Sequence, residues 1–170
     1  MKRRFLIFSV ILASVLAPIV RADGSLTDTQ LNVIRTNCLN AQINLQHIQE
    51  SDKRTRISRG SRYETMLRLM TSFNSRVAQN KVDAPDLITI ASDYQKGWDA
   101  FRAEYTTYDD GLTTLIRLDC RNQPTSFYDQ MGALRTERNG LEQHVKQFDV
   151  LLDRYQQGVD VVKQKQGGGQ

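Results

Sequence analysis

The sequence contains few of the residues from which metal centres and catalytic sites are usually built. Its 170 residues include two histidines, two cysteines and one tryptophan. Neither His47 nor His144 has a second histidine or a cysteine at ligand spacing on its own segment, which argues against a zinc site. No glycine-rich phosphate loop occurs, and neither histidine adjoins a nucleophile. We therefore expect a protein without metal or cofactor that is not an enzyme; an enzyme of unrecognised type is the alternative.

Proline is also scarce and occurs only at positions 18, 85 and 124. Between the prolines, apolar residues recur at alternating spacings of three and four, as in a helix that buries one face, and no strand pattern competes. Because proline interrupts helices, the two later prolines mark corners. The sequence predicts an all-α fold, an antiparallel three-helix bundle or coiled coil with a long first helix. The helices are predicted at residues 27–79, 84–120 and 125–164.

Long apolar runs are absent except near the start. The basic residues Lys2-Arg3-Arg4 precede an apolar run over residues 5–16, and the small-residue site Val20-Arg21-Ala22 follows. This is the layout of a secretory signal peptide. We expect cleavage of residues 1–22 and export, so that the protein is secreted, periplasmic or on the cell surface; the alternative is an uncleaved N-terminal anchor. The rest of the sequence predicts no membrane span.

The overall net charge of +4 belongs to this N-terminal segment. The segment holds four basic residues and no acid, so the remainder carries 19 basic and 19 acidic residues. Since the remainder has a net charge of zero, the basic isoelectric point is no evidence for an anionic partner. We do not expect nucleic acid as the main partner.

The two cysteines, Cys38 and Cys120, both follow the signal segment. In an exported chain such a pair favours a disulfide, while two separate thiols or a bridge between chains are the alternatives. Closing a loop of about eighty residues would stabilise the fold by roughly 4 to 5 kcal/mol in the chain-entropy model.

The segment around Gly60 offers two paths for the first helix. Ser61 and Glu64 are spaced as a capping box, so the helix could end and reverse at Gly60. At 1.5 Å per residue, that reversal would leave the two cysteines on the order of 50 Å apart, outside the reach of a disulfide. We therefore expect the helix to continue through Gly60 as a kink or weak point, which costs about 1 kcal/mol relative to alanine.

A basic stretch is the sharpest local feature. Its bases are Lys53, Arg54, Arg56, Arg59 and Arg62. In the register that the disulfide imposes, it lies opposite acids of the second helix and level with arginines of the third: Glu104, Asp109, Asp110, Arg135 and Arg138. We predict a polar layer across the bundle, in which guanidinium groups bind carboxylates and specify the register. The alternative is a patch that binds an anionic polymer, either nucleic acid or a cell-wall polymer.

Aromatic residues follow one face of the second helix. They are Tyr94, Trp98, Phe101, Tyr105 and Tyr108. Their spacing is that of the residues that must face the other helices, so it favours core packing. A binding groove lined by these rings is the alternative.

Three segments resemble one group of proteins. They read NCLNAQINLQHIQ around Cys38, RISRGSRYETML around Gly60 and LDCRNQPTSFY around Cys120. In these segments the chain is similar to an uncharacterised family of short exported helical, coiled-coil proteins of small-genome candidate-phylum bacteria. The resemblance implies that the two cysteines are a defining pair of this family and that its members share the Arg-Gly region. It implies no ligand or activity. The architecture is also similar to spectrin-type three-helix bundles, which carries no functional conclusion.

These patterns predict the domain organisation and a default function. We expect a signal peptide at residues 1–22, a helical bundle domain at 23–165 and a disordered tail at 166–170, where glycines leave nothing to bury. Long amphipathic helices with spare polar faces suit association rather than chemistry. The sequence favours a structural or protein-interaction module of the cell envelope, with an unknown protein partner or self-association.

Overall fold

The computed structural model describes residues 26–167, which form three α-helices joined by two short connections. α1 spans Asp28–Gln79, α2 spans Pro85–Arg117 and α3 spans Pro124–Gly167. No strand occurs within this range. The predicted all-α bundle with a long first helix is confirmed.

The chain reverses direction at both connections, so α2 is antiparallel to α1 and α3. Near the start of α1, the Gln42 side chain donates to the Leu118 carbonyl at 3.0 Å, just after the end of α2. Near the end of α1, Asn74 donates to the Leu87 carbonyl at 3.1 Å, in the first turn of α2. Asn74 also accepts from the Tyr155 hydroxyl of α3 at 2.8 Å. α1 and α3 therefore run in the same direction.

Local hydrogen bonds close both ends of α1. Thr27 and Gln30 form a capping box, in which the backbone N–H of each residue donates to the side chain of the other. At the far end Lys81 has a φ of 56°, a conformation usually taken by glycine at this position. It allows the Val82 N–H to reach the Val77 carbonyl at 3.0 Å. The helix thus ends at a defined turn.

α1 runs without a break from Asp28 to Gln79 and is therefore continuous through Gly60, as expected. The glycine is buried, and an added Cβ would lie 3.2 Å from the Trp98 ring of α2. The glycine therefore has a packing role, since it allows the indole to approach the backbone of α1 closely.

The predicted disulfide between Cys38 and Cys120 is present, with 5.6 Å between the two Cα atoms. Both cysteines are buried. A structural disulfide is typical of proteins in oxidising, extracytoplasmic compartments.

The end of α2 differs from the prediction. α2 ends at Arg117 rather than at residue 120, so Cys120 lies in the connection to α3. In this connection the Asp119 carboxylate accepts from the backbone N–H groups of Arg121 and Asn122, at 3.1 and 3.2 Å. A short acidic side chain that binds its own backbone in this way competes with helix continuation. A third hydrogen bond comes from the Asn122 side chain. This bond first, and then the two backbone bonds, hold the pKa of Asp119 below its usual value.

The other boundaries agree more closely. α2 and α3 begin at Pro85 and Pro124, since proline at the first helical position has no N–H to satisfy. α3 continues to Gly167, three residues beyond its predicted end, and includes the start of the predicted tail. The predicted signal peptide and the last part of the tail, residues 168–170, lie outside the described residues.

The core is built around α2. All five aromatic residues of its predicted seam are buried. From α3, Phe148 is fully buried, and its ring lies 4.8 Å from that of Tyr63 on α1 and 5.1 Å from that of Tyr94 on α2. An aromatic cluster therefore joins the three helices, as the core interpretation of the seam predicts.

No helix within residues 26–167 is long and apolar enough to cross a lipid bilayer.

Removing the disulfide tests its contribution to stability. We expect the variant with Cys38→Ala and Cys120→Ala to lose roughly 4 to 5 kcal/mol of unfolding free energy, because the unfolded chain regains the entropy of an open loop. Denaturant unfolding monitored by circular dichroism measures the loss. Wild-type protein treated with a reductant is the matched control and should show a similar loss. An unchanged unfolding midpoint in the double variant would contradict the prediction.

Candidate functional site

A polar layer crosses the bundle, and Asp52 of α1 is at its centre. Arg138 of α3 donates to this carboxylate twice, from Nε at 3.1 Å and from Nη2 at 2.9 Å. Tyr108 of α2 donates its hydroxyl to Oδ2 at 2.8 Å. The Asp52 side chain is only 17% exposed. One carboxylate therefore joins all three helices through charge-assisted hydrogen bonds.

A second set of polar contacts lies beside Asp52 and joins α1 to α2. Lys53 Nζ lies 3.5 Å from Asp109 Oδ2. Gln49 donates to Asp109 Oδ1 at 3.1 Å and to the Thr113 hydroxyl at 2.8 Å. The layer thus combines ion pairs with neutral side chains that satisfy the remaining oxygens.

The structure brings together some residues of the predicted layer. Arg138 and Asp109 take part, and Lys53 is the one base of the stretch that forms an ion pair with an acid of α2. Arg54 pairs with Glu50 on its own helix at 3.6 Å, with its side chain 83% exposed. We expected acids of α2 to pair with the basic stretch. Among its five bases, only Lys53 forms such a pair.

Other members of the predicted layer lie elsewhere. Glu104 pairs with His144 of α3 at 3.0 Å rather than with a base of α1. Arg135 is exposed and donates to the Met131 sulfur of its own helix at 3.2 Å. Within residues 26–167, neither Asp110 nor Arg62 forms an ion pair, and both are exposed. The polar layer therefore contains fewer of the predicted residues than expected.

Asp52 was missed as a candidate although the sequence holds a signal for it. Cys38, Leu45 and Asp52 follow one another at intervals of seven residues. Such spacing keeps residues on one face of a helix that packs in a bundle, so an acid at the third position must be buried or paired. Its partner Arg138 could be identified because it interrupts the apolar seam of α3.

Burial and charge shift the ionisation of the groups around Asp52. Burial, followed by the hydrogen bond to the Asp52 carboxylate, raises the pKa of the Tyr108 hydroxyl above its ordinary value. The hydrogen bonds to Asp52 raise the pKa of Arg138. Tyr108 therefore remains a donor and Arg138 a cation at neutral pH, which keeps the layer intact.

Two grooves lie between α1 and α3. We name the one next to the polar layer the aromatic groove; its volume is about 340 Å³. Its lining residues are Asp52, Thr55, Arg56, Arg59, Gly60, Tyr63, Phe101, Tyr105, Tyr108, Arg138, Asn139, Leu141, Glu142 and Val145. Three buried aromatic residues of α2 therefore contribute to this groove as well as to the core.

We name the second the apolar groove, which has a volume of about 560 Å³. It is lined by Met66, Leu69, Met70, Phe73, Arg76, Leu152, Asp153, Tyr155, Gln156 and Val159. Met66 is 41% exposed and Leu69 is 57% exposed, so apolar surface is open to solvent at its edge. The two grooves share no lining residue.

The five bases of the stretch do not form one cationic face. Lys53 points to α2 and Arg54 to solvent, whereas Arg56 and Arg59 line the aromatic groove. The Arg56 guanidinium lies 4.9 Å above the centre of the Tyr105 ring, in a cation–π contact. Within the described residues, no cluster of three or more His, Cys, Asp and Glu side chains is placed to hold a metal ion.

Truncating Asp52 tests the polar layer. We expect Asp52→Ala to lower the unfolding free energy by roughly 2 to 3 kcal/mol, because the buried Tyr108 hydroxyl loses its acceptor and Arg138 loses its carboxylate. Glu50→Ala, which breaks an exposed pair on the same helix, is the matched control and should change stability by no more than about 0.5 kcal/mol. Denaturant unfolding of both variants compares them. Equal losses would show that Asp52 has no special role.

Stability should fall in alkali because of the buried tyrosines. Burial raises the pKa of Tyr105 and Tyr155 to about 12, from the ordinary value of 10.0, and the pKa values of the buried Tyr63, Tyr94 and Tyr108 are also raised. Since the folded state holds these protons more tightly, their contribution to stability is complete below pH 10 and is lost as the pH rises through about 12.

Phenolate absorbance and circular dichroism, recorded together during an alkaline titration, measure this effect. We expect most phenolate absorbance to appear together with loss of helicity. Tyr105→Phe should shift the transition to higher pH, because it removes a hydroxyl that ionises only after unfolding. Full phenolate absorbance with the helices intact would contradict the prediction.

Comparisons with known proteins add no relative. No protein-family model matches the chain, and neither a curated protein nor a solved structure does. The resemblance to exported helical proteins of candidate-phylum bacteria stays a prediction.

Proposed function

We propose that this protein is an extracytoplasmic helical interaction module that presents α1 to an amphipathic helix of a partner protein. Uneven burial is the observation that supports this proposal. α1 buries five of its 52 residues, whereas α2 buries ten of its 33. A long helix that uses so little of its surface within the bundle keeps the rest for contacts with other molecules.

Exposed apolar side chains add to this support. Seven of the eleven large hydrophobic residues that are exposed among the described residues lie on α1. They are Val33, Leu39, Ile43, Ile48, Ile57, Met66 and Leu69. Single exposed apolar residues are common, but their concentration on one helix is typical of a surface that takes part in association.

The apolar groove provides a place for a partner to dock. Met66 and Leu69 of α1 form one side, and Leu152 and Val159 of α3 form the other. Methionine adapts its shape to different partners and is frequent at binding surfaces. An amphipathic helix lying in such a groove would bury its own apolar face together with these side chains.

Charge favours an acidic partner over a second copy of this chain. α1 carries eight basic and four acidic residues, so two α1 helices placed side by side would repel each other. Arg76 lines the apolar groove, and its guanidinium forms no ion pair among residues 26–167. A partner helix with acidic residues along the edge that faces α1 would form ion pairs with these basic residues.

The location in the proposal has separate support. A buried disulfide is typical of an oxidising compartment, and the N-terminal sequence has the pattern of a signal peptide. The length of α1, about 80 Å at 1.5 Å per residue, also suits a spacer in the cell envelope. The proposal includes no catalytic role.

Site-specific photo-crosslinking tests the proposal. A benzophenone amino acid replaces Leu69, at the edge of the apolar groove, in cells that export the protein. The same group at the exposed Ala100 of α2 is the matched control. We expect a discrete adduct from position 69 only, which weakens as salt rises and maps to an acidic amphipathic segment of another protein.

Two results would overturn the proposal. Equal labelling from positions 69 and 100 would show that the apolar groove has no preferred occupant. An adduct between two copies of this chain would show that the surface serves self-association instead.

A further inference from the structure

The aromatic groove has an excess of positive charge. Of its two acids, Asp52 is bound by Arg138, and Glu142 pairs with Lys146 at 3.0 Å. Within residues 26–167, neither Arg56 nor Arg59 has a carboxylate within 4.0 Å. Two guanidinium charges on one side of the groove therefore have no carboxylate partner, and they contact only aromatic side chains: Arg56 lies over the Tyr105 ring and Arg59 lies beside the Tyr63 hydroxyl.

A buried donor without an acceptor lies in the same place. Tyr105 lines the groove and is 7% exposed, and its hydroxyl is buried without a hydrogen-bond partner. Burial raises the pKa of this hydroxyl to about 12, so it keeps its proton at neutral pH. A buried hydroxyl without an acceptor is unfavourable in the free protein. Because this hydroxyl is closed to solvent, a bound oxygen would reach it once the Arg56 guanidinium, which lies over the Tyr105 ring, turns toward the ligand.

The remaining wall of the groove is apolar. Phe101 of α2 and Leu141 of α3 are each 7% exposed, and Val145 lies one helical turn after Leu141. A volume of about 340 Å³ suits a small molecule, since ligand pockets begin near this size. The groove thus places cations and a hydroxyl donor next to an apolar wall.

We propose that the aromatic groove binds a small organic carboxylate with an apolar body. Its carboxylate accepts from the Arg59 and Arg56 guanidinium groups and from the Tyr105 hydroxyl. Its apolar body packs against Phe101, Leu141 and Val145. Arginine favours this class of ligand because its planar fork matches the two oxygens of a carboxylate.

This site is separate from the docking surface of the proposed function. It uses the aromatic groove and a small molecule, whereas the docking of a partner helix uses the apolar groove. Either can therefore fail without affecting the other, and the experiments for the two use different variants.

Calorimetric titration with 4-phenylbutyrate tests the inference, with the uncharged 4-phenylbutanol as the ligand control. We expect saturable binding of the carboxylate and much weaker binding of the alcohol. Arg59→Gln should weaken binding about tenfold or more, because it removes a charge-assisted hydrogen bond. Arg62→Gln is the matched control: it removes an exposed arginine three residues further along α1, outside the groove, and should leave binding unchanged.

Tyr105→Phe separates binding from folding. In the free protein it removes a hydroxyl that has no partner, so the unfolding midpoint should stay the same or rise. The same variant should weaken 4-phenylbutyrate binding several-fold, because the carboxylate loses a donor. Circular dichroism of all three variants checks that they remain folded.

Three outcomes would overturn the inference. These are equal binding of the acid and the alcohol, equal losses of affinity in Arg59→Gln and Arg62→Gln, and the absence of saturable binding in the wild type at millimolar concentrations. In the first two cases the carboxylate would be attracted by apolar surface or by general charge rather than by a built site.

Discussion

The bond between Cys38 and Cys120 sets the register in which α1 and α2 pack. It joins a position near the start of α1 to the connection after α2, and so fixes which residues of the two helices lie at the same level. Next to the bond, the Gln42 side chain of α1 donates to the Ile116 carbonyl of α2 at 2.9 Å. Asp52 lies ten residues after Gln42 and Tyr108 lies eight residues before Ile116, which at 1.5 Å per residue are distances of roughly 15 and 12 Å along the two helices, so the two side chains meet.

The polar layer at Asp52 makes that register specific. A slip of one turn between the helices would leave the Asp52 carboxylate, which is 17% exposed, or the buried Tyr108 phenol without a partner. Ion pairs of this kind need not add net stability, because their desolvation offsets much of their attraction. We expect these contacts to act on specificity instead, by disfavouring other registers in which the aromatic seam of α2 would pack against α1 and α3.

α1 buries a smaller fraction of its residues than α2, and both proposed binding sites are grooves beside α1. α2 lies between the other two and uses its apolar residues to hold them, which leaves it little free surface. α1 contacts the bundle along one narrow strip and lies apart from α3 over much of its length, which leaves the two grooves. The grooves differ in chemistry because the segment of α1 beside the aromatic groove is rich in arginine, whereas the segment beside the apolar groove contains Met66, Leu69 and Phe73.

The sequence by itself determined the helices, the corners and the disulfide. Apolar periodicity and the positions of Pro85 and Pro124 depend on local backbone geometry, which a few neighbouring residues decide. The end of α2 was misjudged because the turn at Asp119 arises from side-chain hydrogen bonds that periodicity does not reveal. The reach of a disulfide was enough to decide that α1 passes through Gly60.

Only the tertiary structure decided which charges meet. Arg138 and Asp109 were expected in the polar layer, but Glu104 pairs with His144, and Asp52 takes the central place. Helix rotation and inter-helix spacing determine such pairs, since a shift of one residue turns a side chain by about 100°. The sequence offered a groove lined by the α2 aromatic residues only as an alternative to core packing, and Phe101, Tyr105 and Tyr108 belong to both the core and the groove. The shape of the groove and its position beneath Arg56 and Arg59 depend on how closely the helices pack.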